Sequence, residues 1–255
     1  MGIVLQAKGV SKIYGTKKNQ FTALKNLNLE ASRGEFVGIM GPSGSGKSTL
    51  LHILSTIDTP TTGSIEIGSK NILTMKEEEL SHFRRSHLGF IFQDFNLLDT
   101  LNVKENILLP LALANSEVSL MSAKVLSMAK LFGIEEILEK YPYEISGGQA
   151  QRTAAARALI TNPEMIYADE PTGALDSKSA ATLLQTLATL NQAKATILMV
   201  THDAYAASYC SRILFIKDGE IFTEIRKGNH TRKEIFQQII NILTTLGGGS
   251  QYDII

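Results

Sequence analysis

The segment GPSGSGKST, Gly41 to Thr49, decides the fold class that this sequence predicts. It matches the pattern G-x-x-x-x-G-K-[ST], in which glycines let backbone N–H groups turn toward a phosphate without a clash from a Cβ atom. Lys47 can reach the outer phosphates of a nucleotide, and the Ser48 hydroxyl can bind Mg²⁺. The apolar run EFVGIM precedes the segment and STLLHILSTI follows it with helical spacing. This strand–loop–helix order favours a phosphate-binding loop at a helix start over a flexible surface turn.

Composition narrows the class of protein. The chain has 255 residues, of which 44% are hydrophobic and 20% charged, as is typical of a soluble globular protein. Its 25 basic and 25 acidic residues balance, so we expect no nucleic-acid partner. Cys210 is the single cysteine, which excludes a disulfide framework within the chain. The N-terminal sequence lacks a charged start followed by an apolar block, so we expect no secretory signal. No apolar stretch is long enough to span a bilayer, so we expect any membrane role to come through a partner.

The order of strand and helix patterns predicts an α/β fold. Strand patterns fill the first third and return after residue 160, while helical patterns dominate from about 97 to 160. Strands that alternate with helices favour a mostly parallel sheet, and the helical middle indicates an inserted lobe. Thr74 and Glu77 match a capping box that predicts a helix start, and Asp218-Gly219 predicts a hairpin turn.

The C-terminal region predicts one more helix, over about 231–246. Within it, five apolar side chains recur at helical spacing: Phe236, Ile239, Ile240, Leu243 and Leu246. This pattern favours a helix that packs on the core, and the alternative is a partner-binding face.

Two further motifs carry chemistry. The apolar strand pattern MIYADE ends in Asp169, which could support a metal ion, and Glu170, which could polarise an attacking water. Seen alone, this acidic pair could also be a solvated turn. The second motif, ISGGQAQR at 145–152, is another glycine-rich helix start, and Ser146 lies 99 residues after Lys47. Although it could be an ordinary helix start, a second anion site suggests that two chains share each nucleotide.

The order of these motifs resembles that of the ATP-binding cassette (ABC) ATPases over essentially the whole chain. The resemblance implies binding of ATP and Mg²⁺, hydrolysis of ATP, and a homodimer that encloses the nucleotides. It implies catalytic roles for Glu170 and for His202, the latter in VTHD, and Mg²⁺ ligands Ser48, Gln93 and Asp169. The implied nucleotide-binding residues are Tyr14, Gly41, Pro42, Ser43, Gly44, Ser45, Gly46, Lys47, Ser48, Thr49 and Gln93. The implied signature, which closes on the ATP of the partner copy, is Ser146, Gly147, Gly148 and Gln149, and the implied D-loop contains Asp176.

The same resemblance implies a P-loop NTPase fold with a mostly parallel central sheet, an N-terminal antiparallel β part and an inserted helical lobe. The whole chain, 1–255, would be one ATP-binding domain. Its RecA-like core with the β part would cover about 1–93 and 161–230, the lobe about 94–160, and the last helix 231–246. Taken alone, Tyr14 could be a surface residue, Gln93 a turn residue and His202 a strand-end residue, and only their place in the ordered set favours a functional role.

Longer segments resemble the bacitracin-resistance (Bce-type) transporters, a branch near the macrolide-efflux and lipoprotein-release transporters. These segments are FQDFNLLDTLNVKENILLPL, KYPYEISGGQAQRT, ADEPTGALDSKSA and VTHDAYAASYCSRILFIKDG. The resemblance implies resistance to peptides that target the cell wall, a separate permease, and signalling to a sensor histidine kinase. The subunit would be peripheral, at the cytoplasmic face of the membrane. The signature departs from the commonest form at Ile145 and Ala150, and neither change removes a phosphate ligand.

Alternatives to this function remain at the level of sequence. The chain could serve a lipoprotein-release or macrolide-efflux transporter, or it could be a soluble regulatory ATPase without a permease. The segment after Gln93 contains Asp94, Phe95, Leu97, Leu98 and Asp99, whose apolar members could belong to the core or to a groove for a permease helix. The sequence leaves open which peptide is handled, and whether the work is export, release of a target or signalling.

Overall fold

The structure is a computed structural model that describes residues 2–16, 18–114 and 118–246. It contains two compact units, one formed by the chain up to Met75 and from Leu198 onward, the other by Lys76–Ile197. The predicted boundaries of core, lobe and last helix within 1–255 are not tested by these units and stay a prediction. Positions 1, 17, 115–117 and 247–255 of that predicted domain lie outside the described residues. Among the described residues, no helix is both long and apolar enough to cross a membrane.

The first unit begins with a four-stranded antiparallel sheet in the order β2-β1-β4-β5. The strand predicted at the start of the chain is confirmed as β1 (Ile3–Thr16). Its side chains at Val4, Leu5, Ala7 and Val10 are buried. The strands are β1 (Ile3–Thr16), β2 (Asn19–Ser32), β4 (Thr62–Ile67) and β5 (Lys70–Asn71).

The first unit also holds four strands of a second sheet, in the order β10-β9-β3-β8. They are β3 (Phe36–Met40), β8 (Ile197–Val200), β9 (Arg212–Lys217) and β10 (Glu220–Arg226). Strands β3 and β9 are parallel, as the alternation of strands and helices predicts, and β9 and β10 form an antiparallel hairpin. Both turn residues, Asp218 and Gly219, have positive φ angles of 51° and 82°, so the predicted Asp-Gly hairpin turn is confirmed.

Three helices complete the first unit: α1 (Lys47–Leu54), α7 (Ala204–Ala207) and α8 (Arg232–Leu246). The predicted C-terminal helix is confirmed as α8, which packs against α7 and β10. The predicted buried face is only partly correct. Ile239 and Leu246 are buried and Leu243 is half-buried, as predicted, whereas Phe236 and Ile240 are each 36% exposed. Ile235, which the predicted set lacks, is fully buried in their place.

The second unit contains the parallel strands β6 (Leu88–Ile91) and β7 (Met165–Asp169) and five helices. The helices are α2 (Glu77–His87), α3 (Val103–Leu113), α4 (Val118–Phe132), α5 (Gly147–Leu159) and α6 (Ser177–Gln192). Helix α5 is central to this unit, because it packs against β6 and against α3, α4 and α6.

The predicted capping box at Thr74 and Glu77 is wrong. Helix α2 begins at Glu77 after Lys76, whose side chain makes no capping hydrogen bond. Thr74 instead ends a short 3₁₀ turn, Ile72–Thr74, and its hydroxyl donates to the carbonyl oxygen of Asn71 at 3.0 Å. The extended backbone at Met75 and Lys76 separates Thr74 from the helix start.

Candidate active site

The predicted phosphate loop lies between β3 and α1, which is the strand–loop–helix context that the motif requires. Gly46, the residue before α1, has φ of 101°, and a Cβ atom there would lie 2.5 Å from the carbonyl oxygen of Ala23. Gly44 has φ of 76° but open space around it. The backbone conformation at both positions favours glycine, and only Gly46 is also closed in by the neighbouring strand.

The loop fits an anion. Helix α1 begins without a side-chain cap and without an acidic residue in its first turn, so its first N–H groups can meet a phosphate. The Lys47 ammonium donates to the carbonyl oxygen of Pro42 at 2.8 Å, which places its charge across the loop. The buried hydroxyl of Ser45 has no hydrogen-bond partner within the described part of the chain. This set of donors suits the phosphates of a nucleotide.

Tyr14, the predicted adenine-stacking residue, is fixed by two neighbours. Its hydroxyl donates to one carboxylate oxygen of Asp58 at 2.7 Å, and the Lys12 ammonium binds the other oxygen at 2.7 Å. Lys12 Nζ also lies 4.8 Å from the centre of the Tyr14 ring. Burial and the hydrogen bond to Asp58 raise the pKa of Tyr14 above its ordinary value. The ring is thus held in place while 40% of the residue stays exposed.

Asp58 is an ionised anchor for this arrangement. Burial alone would raise the pKa of its carboxyl, but hydrogen bonds from Lys12, Tyr14 and the Thr59 N–H outweigh burial and lower it below the ordinary 3.8. Thr49, the last residue of the phosphate loop, interacts with the Tyr14 hydroxyl and acts to lower the pKa of Tyr14, against the larger effects of burial and Asp58. Tyr14 and the end of the phosphate loop are therefore close enough to interact within the first unit.

His202 lies in the first unit, two residues after the end of β8. It is exposed, whereas Thr201 before it is fully buried and its backbone N–H donates to the Ile39 carbonyl at 3.1 Å. Asp203 after it caps α7 by accepting the Tyr205 N–H at 2.8 Å. His202 is thus presented at the surface from a backbone that is fixed on both sides.

The acidic pair lies in the second unit, at the carboxyl end of β7. Asp169 is the last residue of the strand, and Glu170 follows with φ of 45°. A left-handed conformation is uncommon for a residue other than glycine and costs about 1 kcal/mol or more. The Glu170 carbonyl closes a turn by accepting the Gly173 N–H at 2.9 Å. Backbone strain at the predicted catalytic carboxylate is typical of a functional position.

Gln93 lies close to this turn. It is exposed, two residues after the end of β6, and its side-chain amide lies 3.5 Å from the position that a Cβ atom on Gly173 would occupy. The second unit therefore brings the predicted metal-ligand glutamine to the turn that begins at Glu170.

The predicted signature forms the start of α5. Ser146 accepts the Gln149 N–H at 3.3 Å, and the Gln149 side chain accepts the Ser146 N–H at 2.9 Å, which is a capping box. Ser146 and Gly147 are exposed, while Gly148 is buried against Ser179. The two polar side chains stabilise the helix start and occupy the Ser146 N–H, so the surface that remains for a ligand is the exposed backbone at Gly147.

Asp176, the predicted D-loop residue, caps α6. Its carboxylate accepts the backbone N–H groups of Lys178 and Ser179 at 2.9 and 3.0 Å and the Ser179 hydroxyl at 2.7 Å. These hydrogen bonds, the one from the Ser179 hydroxyl first, lower the pKa of Asp176. Asp176 therefore stabilises the start of α6. Its predicted contribution to nucleotide binding, as part of the D-loop, stays a prediction.

The possible metal ligands suit Mg²⁺. Within the described residues, no group of three or more His, Cys, Asp or Glu side chains could hold a metal ion by itself. Mg²⁺ is usually bound by few protein oxygens together with substrate phosphates and water. The predicted set, Ser48, Gln93 and Asp169, offers one hydroxyl, one amide and one carboxylate oxygen, which fits that preference.

The predicted site residues fall in both units. The first contains Tyr14, the phosphate loop and His202, and the second contains Gln93, Asp169, Glu170, the signature and Asp176. Sequence analysis missed four residues that hold these groups: Lys12, Asp58, Gln151 and Arg157. Except for the Lys12–Tyr14 contact and the hydrogen bond from Thr59 to Asp58, their partners lie 20 to 62 positions away along the chain, so no local spacing indicates them.

Comparisons with known proteins agree with these motifs. A sequence model of the ABC transporter family matches residues 24–173. The chain is 54% identical over 246 residues to the bacitracin export ATP-binding protein BceA of Halalkalibacterium halodurans, covering 96% of this chain and 97% of that protein. It is 55% identical over 248 residues to YvcR, an uncharacterised ABC transporter ATP-binding protein of Bacillus subtilis, covering 96% and 95%.

A solved structure is similar in fold. It is the dimeric, ADP- and phosphate-bound post-hydrolysis state of the cassette MJ0796 from Methanocaldococcus jannaschii, with a TM-score of 0.81 and 41% identity. The match covers 87% of this chain and 98% of that one. These findings confirm the predicted fold class, a P-loop NTPase of the ABC type, and the resemblance to the bacitracin-resistance branch. The chain belongs to the ABC transporter family, as an ATP-binding subunit that hydrolyses ATP.

Proposed function

We propose that this subunit drives a transporter that protects a cell from antimicrobial peptides acting on the cell wall, as bacitracin does. The observation that carries the proposal is the similarity to a bacitracin export ATP-binding protein over nearly the whole length of both chains. The partner would be a separate integral-membrane permease and, through it, a sensor histidine kinase. The subunit would be held by the permease at the cytoplasmic face of the cell membrane.

The proposed hydrolysis uses the groups that each unit presents. The Tyr14 ring would stack on adenine, and the phosphate loop with Lys47 would hold the β- and γ-phosphates. Glu170 would orient and deprotonate the attacking water, and His202 would contact the γ-phosphate as charge develops. The fixed ring of Tyr14 and the strained backbone at Glu170 support these roles.

Ser48, Gln93 and Asp169 would hold Mg²⁺. When bound, this ion offsets the negative charge of the phosphates during transfer. The oxygen donors at these three positions and the position of Gln93 beside the Glu170 turn support the assignment.

We further propose that two copies of this chain enclose two ATP molecules. A dimer is known for the similar cassette MJ0796. In this chain, Ser146 and Gly147 at the start of α5 are exposed, so this helix start would serve as a second anion-binding site, far along the sequence from the phosphate loop. Binding of ATP between copies would bring them together, and hydrolysis would release them.

The segment after Gln93 is the surface that we assign to the permease. Asp94, Leu98 and Asp99 are exposed, whereas Phe95 and Leu97 are half-buried. The half-buried Phe95 lies close to Gly147, which supports a packing role for this residue. The exposed Leu98 supports a groove for a permease helix.

The role of Glu170 is tested with Glu170→Gln, which keeps shape and removes the base. We expect steady-state ATP hydrolysis to fall by about a hundredfold or more, while the dissociation constant for a fluorescent ATP analogue changes little. Turnover near that of the wild type would exclude Glu170 as the base.

The peptide-resistance role is tested in cells. A strain that lacks the gene is exposed to a panel of peptides that act on the cell wall, and is complemented with the wild type or with Glu170→Gln. We expect sensitivity to at least one peptide, corrected by the wild type alone. Unchanged susceptibility across the panel would contradict the proposed substrate class and leave the ATPase assignment intact.

A further inference from the structure

A buried glutamine on α5 joins two segments that carry predicted catalytic residues. The side chain of Gln151 is fully buried, and its amide nitrogen donates to the carbonyl oxygen of Phe92 at 3.1 Å and to that of Pro171 at 2.7 Å. Phe92 immediately precedes Gln93, and Pro171 immediately follows Glu170. One amide group thus fixes the backbone beside both residues.

The hydrogen bond to Pro171 acts next to a strained residue. Glu170 has φ of 45°, a conformation that persists only where the surrounding structure enforces it. The Gly173 N–H bonds to the Glu170 carbonyl from one side, and Gln151 holds the next carbonyl from the other. Loss of the amide would free the Pro171 carbonyl and relax the constraint on the Glu170 backbone.

The same helix holds the other segment at a second point. The guanidinium of Arg157, also on α5, donates to the carbonyl oxygens of Phe95 and Asn96, at 2.9 and 2.6 Å. Both of those residues have positive φ, 60° and 49°. The segment that contains Gln93 is therefore attached to α5 before and after that glutamine, by Gln151 and Arg157.

Stability alone does not account for Gln151. Its side-chain oxygen is buried and has no hydrogen-bond partner within the described residues. An unpaired buried acceptor is unfavourable, and buried groups of this kind call for an explanation other than packing. Because both neighbours are carbonyl acceptors, the amide must turn its NH₂ group toward them, and the oxygen stays unpaired as a consequence.

We propose that Gln151 is a positioning residue for hydrolysis, which ties the backbone beside Gln93 and Glu170 to the helix that begins at the signature. This inference rests on the proposed function, since it takes Glu170 as the base and 146–149 as the end that meets the partner's ATP. If α5 shifts when a second copy binds, the Gln151 side chain would move the Pro171 carbonyl and with it the backbone next to Glu170.

The test uses the purified full chain with Gln151→Met, which keeps the length of the side chain and removes both donors. A displacement of a catalytic group by about 1 Å can lower the rate by about a hundredfold. We expect kcat to fall by about tenfold or more, with the dissociation constant for a fluorescent ATP analogue within about twofold of wild type, because the phosphate loop and Tyr14 are unchanged.

A matched control separates positioning from loss of stability. Asn106 on α3 is also fully buried, and its amide donates to the carbonyl oxygens of Leu98, Leu101 and Asn102. Asn106→Leu removes a comparable buried amide that touches neither Gln93 nor Glu170. We expect both variants to lower the melting temperature, and only Gln151→Met to lower kcat at a temperature where both are folded.

Two results would overturn the inference: kcat of Gln151→Met within about twofold of wild type, or an equal loss of kcat in Asn106→Leu. Glu170→Gln is assayed in parallel to separate this inference from the proposed function. A kcat near that of wild type in Glu170→Gln would contradict the proposed function. If Glu170→Gln hydrolyses no ATP while Gln151→Met has the kcat of wild type, the positioning role alone is contradicted.

Discussion

Tyr14 shows how a residue that sequence analysis identifies depends on residues that it does not. The aromatic side chain occurs at its expected place in the order of motifs, but its orientation comes from Asp58, 44 positions later. Asp58 in turn is held by Lys12, whose ammonium also donates to the Thr59 carbonyl at 2.6 Å. Such pairs between a strand and a distant loop leave no periodic pattern in the sequence, so only the structure identifies them.

The first prediction at the residue scale concerns Asp58. Asp58→Ala removes the acceptor of the Tyr14 hydroxyl and the partner of Lys12, so the ring is no longer held for stacking. We expect KM for ATP to rise by about threefold or more with kcat little changed, because the phosphate contacts are untouched. Steady-state kinetics give both values.

Two variants control this measurement. Tyr14→Phe removes the hydroxyl alone and should change KM in the same direction by less. Gln6 lies on β1, the strand that contains Tyr14, and its side chain donates an exposed hydrogen bond to Glu30 of β2. Gln6→Ala removes this bond and should leave KM unchanged. A KM for Asp58→Ala equal to that of Gln6→Ala would show that the ring needs no support from Asp58.

The pH dependence of stability follows from the same carboxylate. Because its pKa is lowered in the folded state, ionised Asp58 stabilises the fold above its ordinary pKa of 3.8, and this contribution is lost as pH falls below that value. We expect the difference in urea-unfolding free energy between wild type and Asp58→Asn to be constant near neutral pH and to shrink in strong acid. A constant difference down to the acid limit would contradict an ionic role.

At the scale of elements, the phosphate loop could be predicted in full because its geometry is local. The glycines, the lysine and the following helix all lie within one short segment, and the structure places that segment between β3 and α1. The start of α2 could not be predicted in the same way. Thr74 and Glu77 satisfy a capping pattern, yet the extended backbone at Met75 and Lys76 moves the helix start to Glu77.

Gly46 and Gly44 give a prediction that separates two reasons for glycine in this loop. Both have positive φ, so alanine at either position costs about 1 kcal/mol. A Cβ atom on Gly46 would in addition lie 2.5 Å from the Ala23 carbonyl and 2.9 Å from the Leu24 side chain, whereas on Gly44 it would meet nothing within 4 Å. We expect Gly46→Ala to lower the melting temperature and the affinity for ATP much more than Gly44→Ala does.

Thermal unfolding with and without ATP measures both effects. In wild type, bound nucleotide raises the melting temperature by mass action, and this shift should disappear in Gly46→Ala and persist in Gly44→Ala. Equal losses in the two variants would mean that φ alone, and not the close approach of β2, requires glycine at position 46.

At the scale of the whole molecule, the motifs predict two helix starts that could bind phosphate in each copy, one more than a single nucleotide needs. The phosphate loop precedes α1, and the signature precedes α5 with its backbone at 146 and 147 exposed. The sequence alone indicates this surplus. It could not indicate that the Ser146 and Gln149 side chains and the Ser146 N–H are already engaged in a capping box. In the proposed dimer, the exposed backbone at Gly147 would then be the contact for a partner's phosphate.

Gly147 offers a test of the shared site that spares the fold. A Cβ atom there would lie 3.6 Å from the Phe95 ring, an ordinary contact, and φ at this position is not positive. An aspartate in the first turn of α5 also interacts favourably with the helix dipole. Gly147→Asp should therefore fold normally, while its carboxylate would repel the γ-phosphate bound to a second copy.

We expect Glu170→Gln to form a dimer with ATP and to be monomeric with ADP, because in the proposed dimer the unhydrolysed γ-phosphate would join the two copies. Sedimentation velocity measures both states. Adding Gly147→Asp should abolish this dimer and leave ATP binding to the monomer intact. The neutral variant Gly147→Asn, of the same size, should dimerise more strongly than the aspartate variant, since charge and not volume opposes closure. A dimer of undiminished strength in the aspartate variant would place the signature outside the shared nucleotide site and remove the basis for coupling through α5.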